Sequence, residues 1–73
     1  DLQARALSLS PRRQELIATI RTHQPVSFDY LVRNFRGVAI GTLHYDLQQL
    51  IRGGFIRKLG ITRGALYESL VAL

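Results

Sequence analysis

The chain contains no cysteine, methionine or tryptophan, only two prolines and only five acidic residues. Without cysteine, no disulfide, zinc-thiolate or iron–sulfur site can be built, and the chain fits a reducing cytosol without requiring one. No apolar run approaches the roughly 18 residues of a membrane span, and none forms a signal-peptide core. Lacking an initiator methionine, a chain that begins at Asp1 reads as a domain cut from a longer protein, or as one that lost its first residues. The two histidines, His23 and His44, have no histidine or cysteine at ligand spacing. The only near carboxylate, Asp46, is one that a helix points elsewhere, so no metal site is read. Five scattered acids and two lone histidines also give no nucleophile–base pair, and a chain of 8.3 kDa lacks room for a usual pocket of about 300 Å³. The expectation is a binding domain and not an enzyme, with no cofactor, no small-molecule substrate and no membrane partner.

What is present is a hydrophobic fraction of 47% over 73 residues, enough for one small domain with one core. The net charge of +5 is unevenly placed. Between residues 33 and 63, Arg33, Arg36, Arg52, Arg57, Lys58 and Arg63 face Asp46 alone, which accounts for the whole excess. Elsewhere Arg5, Arg12, Arg13 and Arg21 balance Asp1, Glu15, Asp29 and Glu68. A localised basic patch points to a polyanion, with a merely solvated face as the bland alternative.

Residues 1–9 have no clear period and read as a linker or a frayed lead-in helix. Ser10-Pro11 is a helix start, since the hydroxyl can cap and proline fits the first turn. Leu16, Ile17 and Ile20 then form an apolar stripe that ends near His23, ahead of Pro25. Pro25-Val26 allows only a short extended piece. Ser27 caps a second short helix over about 28–34, with Asp29 in its first turn, Val26 and Leu31 at the positions of a hydrophobic staple, and Leu31, Val32 and Phe35 facing inward. Gly37 is read as a turn residue in a conformation others reach only with strain. A third helix runs from about Ile40 to Arg52 and is stopped by Gly53-Gly54. Phe55–Leu59 reads as a strand with its basic residues on one side, 60–64 as a glycine-flanked loop, and Ala65–Leu70 as the returning strand.

The third helix is amphipathic in two distinct ways. Leu43, Leu47, Leu50 and Ile51 share one face; Gly41, Tyr45, Gln48 and Arg52 share the other. That second face is short-chained at its start, rich in amide and aromatic groups, and ends in arginine. It suits a groove lined with base edges and phosphates. Tyr45 can stack on a sugar or donate its hydroxyl, or simply pack on a neighbouring side chain. Gln48 can make the bidentate amide contact to adenine, with Gln49 turned toward the flank; both are also ordinary helix formers. Thr42 stands at the helix start, where backbone N–H groups favour anions. His44 lies beside the core stripe, either reaching phosphate or half-buried. Arg52, Arg57, Lys58 and Arg63 are candidate phosphate contacts, Arg63 at a wing tip able to enter a minor groove, with solvation as their bland reading. Asp46 is read as structural, paired with an arginine or a backbone donor, since a carboxylate facing a polyanion would repel it.

Two helices joined by a glycine turn and followed by a basic hairpin make a winged helix-turn-helix, an α+β fold of three helices with a C-terminal β-hairpin wing over residues 10–73. The segment 37–47 resembles the signature of DeoR-type bacterial repressors, Gly-Val-Ser, two variable residues, then Thr-Ile-Arg-Arg-Asp-Leu. Gly37, Val38, Thr42, Asp46 and Leu47 match it directly, and Leu43 replaces its isoleucine conservatively. Arg12-Arg13-Gln14-Glu15-Leu16 is similar to the opening of that family's first helix, and 50–58 to its helix end and first wing strand. Departures are His44 and Tyr45 in place of the two arginines, Ala39 in place of serine, and no Gly-Gly-Ala wing. Similar winged helices are also appended to some Fic-type proteins, where 9–14 and 62–67 would look at home. The resemblance implies double-stranded DNA as partner, transcription regulation, and a cytoplasmic or, in a bacterium, nucleoid location, with a homodimer or the rest of a longer chain supplying a second contact. The alternative is a protein-interaction or dimerisation module on the same fold. RNA is a weaker third, because no aromatic stacking platform is visible.

Overall fold

The computed structural model describes residues 1–61 and 64–72. Residues 2–7 form a lead-in helix α1 (Leu2–Leu7), capped by Asp1, whose carboxylate accepts from the Ala4 N–H at 2.8 Å. α2 (Pro11–His23) starts with Ser10 as N-cap and Pro11 in the first turn, and buries Leu16, Ile17 and Ile20. β1 (Val26–Ser27) leads directly into α3 (Phe28–Asn34), where the Ser27 hydroxyl accepts from the Tyr30 N–H at 3.1 Å. α4 (Ile40–Arg52) is the helix read third from the sequence. β2 (Ile56–Leu59) and β3 (Leu66–Ser69) form the antiparallel hairpin, and β1 adds to β3, giving the order β1-β3-β2. Helices α2, α3 and α4 followed by the C-terminal β2–β3 hairpin give the winged-helix layout, with α1 preceding it.

One core joins the layers. Leu16, Ile20, Leu31, Leu43, Leu47, Leu50 and Ile56 are essentially inaccessible, with Val26, Tyr67 and Val71 closing the sheet side. α1 belongs to this core through Ala6, with Leu2 packed against it. Gln14 of α2 donates from Nε2 to the Leu7 and Leu9 carbonyls, at 3.1 and 2.8 Å, fixing the α1–α2 corner.

The end of α4 is built from local chemistry. The Phe55 N–H donates to Leu50 O at 2.9 Å and the Gly54 N–H to Ile51 O at 3.0 Å, the paired bonds of a Schellman cap. The left-handed residue is Gly54, with φ +80°, while Gly53 stays right-handed. From α1, Arg5 donates through Nη2 to Gly53 O at 3.0 Å and lies 5.1 Å over the Phe55 ring, putting a cation where the helix dipole is negative.

The fold departs from three sequence expectations. Gly37 has no positive φ, and a Cβ there would meet nothing within 4 Å; the α3–α4 turn is instead closed by Val38 N–H donating to Phe35 O at 3.0 Å. Ile51 is 36% exposed, and the position inside the stripe is taken by Asp46. The buried set 43, 46, 47, 50 follows the i, i+3, i+4, i+7 helix rule, which leaves 51 at its edge. Arg57 and Lys58 do not share a side, because successive strand residues alternate. Arg57 is opposite Glu68, and Lys58 opposite Tyr67.

Candidate nucleic-acid interface

Side-chain spacing on α4 determines what it shows to solvent. Gly41, His44, Tyr45, Gln48 and Arg52 are exposed, Tyr45 to 57%, while Thr42 and Gln49 are half-buried along the flanks. The first turn has Ala39 at the cap position and no side-chain hydrogen bond there, so its N–H groups lack a side-chain acceptor. His44 is exposed and its ring stacks on Phe28 of α3, with centroids 4.0 Å apart and planes 12° from parallel. Neither reading of His44 anticipated that stack.

Asp46 is the one acid on α4, and it is fully buried. Arg12 donates from Nε to Oδ2 at 2.6 Å and from Nη2 to Oδ1 at 3.3 Å, and Arg13 donates from Nε to Oδ1 at 3.0 Å. Burial pushes this carboxyl up, but the hydrogen bonds and charges of Arg12 and Arg13 outweigh it and hold it below the ordinary carboxylate range. The structural reading of Asp46 holds, with both partners coming from α2. The Arg13 guanidinium also lies 5.7 Å over the Tyr45 ring, joining the edge of α2 to the exposed side of α4. Sequence reasoning placed Arg12 and Arg13 in the charge-balanced part of the chain and gave them no role. Their one local signal was an adjacent pair in the first turn of a helix, where the helix dipole disfavours cations.

On the hairpin, Arg57 forms an ion pair with Glu68 across the strands, and Lys58 is exposed. The pair neutralises Arg57 locally, so the wing carries less free positive charge than the sequence count implies. Arg63 lies outside the described residues. Leu59 and Ile61 stand exposed on the same hairpin, at 37% and 94%. Among the described residues, Arg33, Arg36, Arg52 and Lys58 make no ion pair.

No group of three histidine, cysteine or acidic side chains is placed to hold a metal among the described residues. A shallow groove of about 140 Å³ runs between α1 and α2, lined by Ala6, Leu7, Ile17, Ala18, Arg21 and Val71 among others, and shares no residue with α4. No helix among the described residues is long and apolar enough to cross a membrane. The arrangement is thus an acid-free helix face bearing aromatic, imidazole, amide and guanidinium groups, bordered by arginines from a second helix. Comparison of the chain with protein-family models, with curated proteins and with solved structures finds no match.

Proposed function

We propose that this domain binds double-stranded DNA, with α4 in the major groove and the β2–β3 wing along the adjacent backbone. The observation that carries the reading is the inward turn of Asp46. With its carboxylate buried and held by two arginines, the exposed side of α4 offers Tyr45, Gln48 and Arg52 with no acid beside them. A duplex needs that combination: hydrogen-bonding groups for base edges, cations for phosphates, and nothing to repel either. The resemblance of 37–47 to the DeoR-type signature supports the same role, in transcription regulation. One such module buries only about 600–1,000 Å², so a homodimer or further chain adds the second contact.

Fluorescence anisotropy of a labelled duplex titrated with the domain at several salt concentrations tests this. Neutralising four to six phosphates gives log K falling with log salt at a slope of about −4 to −5. Tyr45→Ala and Gln48→Ala then relax sequence preference, whereas Lys58→Ala weakens all sequences alike. Absence of binding at low salt refutes the reading. A second reading, a protein-interaction module, is favoured by the Arg57–Glu68 pair and by the apolar exposure of Leu59 and Ile61 on the wing. A co-purifying protein, or a second copy of the chain, seated on the wing with α4 left uncovered would decide for it.

A further inference from the structure

We propose that Arg12, presented by α2 and oriented by Asp46, is a backbone phosphate contact flanking the groove that α4 enters. The inference rests on the DNA-binding reading and adds to it a contact from outside the helix-turn-helix pair. An α-helix with side chains is about 10–12 Å across and the major groove is about 12 Å wide, so a seated helix has its flanks against the two phosphate ridges. A cation on a neighbouring helix, tied to the middle of the seated helix, stands where a ridge passes.

Arg12 meets that description. Its Nε and one Nη2 hydrogen face Asp46, which leaves both Nη1 hydrogens and the second Nη2 hydrogen of the guanidinium available. Its side chain is 44% exposed, against none for Asp46 and 26% for Arg13. Arg13 spends its guanidinium between Asp46 and the Tyr45 ring, so Arg12 is the outer member of the pair. One carboxylate serves two guanidinium groups, so the cluster keeps one positive charge, with the acid on its inner side. Because Asp46 belongs to α4 itself, the arginine is fixed relative to the helix that reads the groove. Its side chain is ordered before DNA arrives, and less freedom is lost on binding.

The test is salt-dependent anisotropy on a labelled duplex with wild type, Arg12→Gln, Arg12→Lys, Arg21→Gln and the double variant Arg12→Gln/Asp46→Asn. Arg21→Gln removes the same charge at the far end of α2. The double variant keeps the wild-type net charge and leaves no unpaired acid in the core, so it reports on the contact even where Arg12→Gln alone unfolds. Loss of one phosphate contact flattens the slope by about 0.9 and weakens binding about tenfold near 50 mM salt. Both Gln-bearing Arg12 variants are expected to show this, Arg12→Lys to recover most of it, and Arg21→Gln to keep the wild-type slope. A wild-type slope in the double variant, or an equal flattening in Arg21→Gln, overturns the contact while DNA binding stands. Absence of binding by the wild type overturns both.

Discussion

Replacing Asp46 with asparagine keeps the shape of the site and removes its charge, and the structure sets the size of the effect. Three charge-assisted hydrogen bonds converge on a carboxylate with no access to solvent. Breaking a fully buried ion pair by removing one partner costs about 3–5 kcal/mol, because the survivor stays buried and unpaired. Here the survivors are arginines 44% and 26% exposed, which rehydrate by small movements. The loss is therefore smaller, about 2 kcal/mol, comparable to one good hydrogen bond to a charged group. For a domain of this size that lowers Tm by about 8–16 °C at neutral pH. The acid limb carries the sharper test. The folded-state pKa of Asp46 is depressed, so its contribution is complete above the unfolded value of about 3.9 and is lost as pH falls through the folded value. Melting followed by circular dichroism from about pH 7 down to about pH 2.5 should show wild type and Asp46→Asn far apart at the top and converging at the bottom. A neutral-pH difference below about 3 °C, or a gap that stays constant into acid, would mean that the buried carboxylate does not stabilise the fold through its charge.

The α4 boundary glycines give a paired prediction: Gly54→Ala, at φ +80°, loses about 1–2 kcal/mol in urea unfolding, while Gly37→Ala, in open space without positive φ, is neutral or gains about 0.5 kcal/mol. Arg5→Gln removes the contact with Gly53 O and the cation over Phe55, and a thermal melt should register a loss of about 1 kcal/mol. Burial pushes the Tyr67 phenol up, so a spectrophotometric titration of wild type minus Tyr67→Phe should show one tyrosine ionising above the ordinary value. Since that pKa is raised in the folded state, its contribution is complete below the ordinary phenol value and is lost as pH rises through the folded one. Equal alkaline unfolding of the two chains would contradict it.

Much of the helical frame was legible because its signals are local. α2 starts at Ser10-Pro11 and stops before Pro25, α3 starts at Ser27, and α4 runs from Ile40 to the Gly-Gly stop, each within the reach of one turn of chain. The two faces of α4 were legible for the same reason, apart from Ile51 and Asp46. What the sequence hid depends on partners far along the chain. β1 pairs with β3 some 40 residues later, α1 seats Arg5 on the end of α4, and Asp46 finds its arginines 33 and 34 residues away. The Gly37 expectation failed because a glycine before a helix is weak information. Its turn closes through a bond that any residue at 37 permits, whereas Gly54 holds the left-handed cap.

The charge count along the sequence and the charge map of the fold differ in a way that bears on function. In the linear count the excess belongs to residues 33–63, and the four arginines outside that window cancel against Asp1, Glu15, Asp29 and Glu68. In space, Arg57 is neutralised by Glu68, while Arg12 and Arg13 absorb Asp46 with one charge to spare. Positive potential therefore shifts from β2 toward the seam between α2 and α4. Exposed cations at the surface gain little from their own ion pairs, so such pairing matters less for stability than for deciding which cations remain for a partner. On the DNA-binding reading, a duplex is gripped along the flanks of α4 more than by the described part of the wing. Among its described residues the wing is left with Lys58 and the exposed apolar side chains of Leu59 and Ile61.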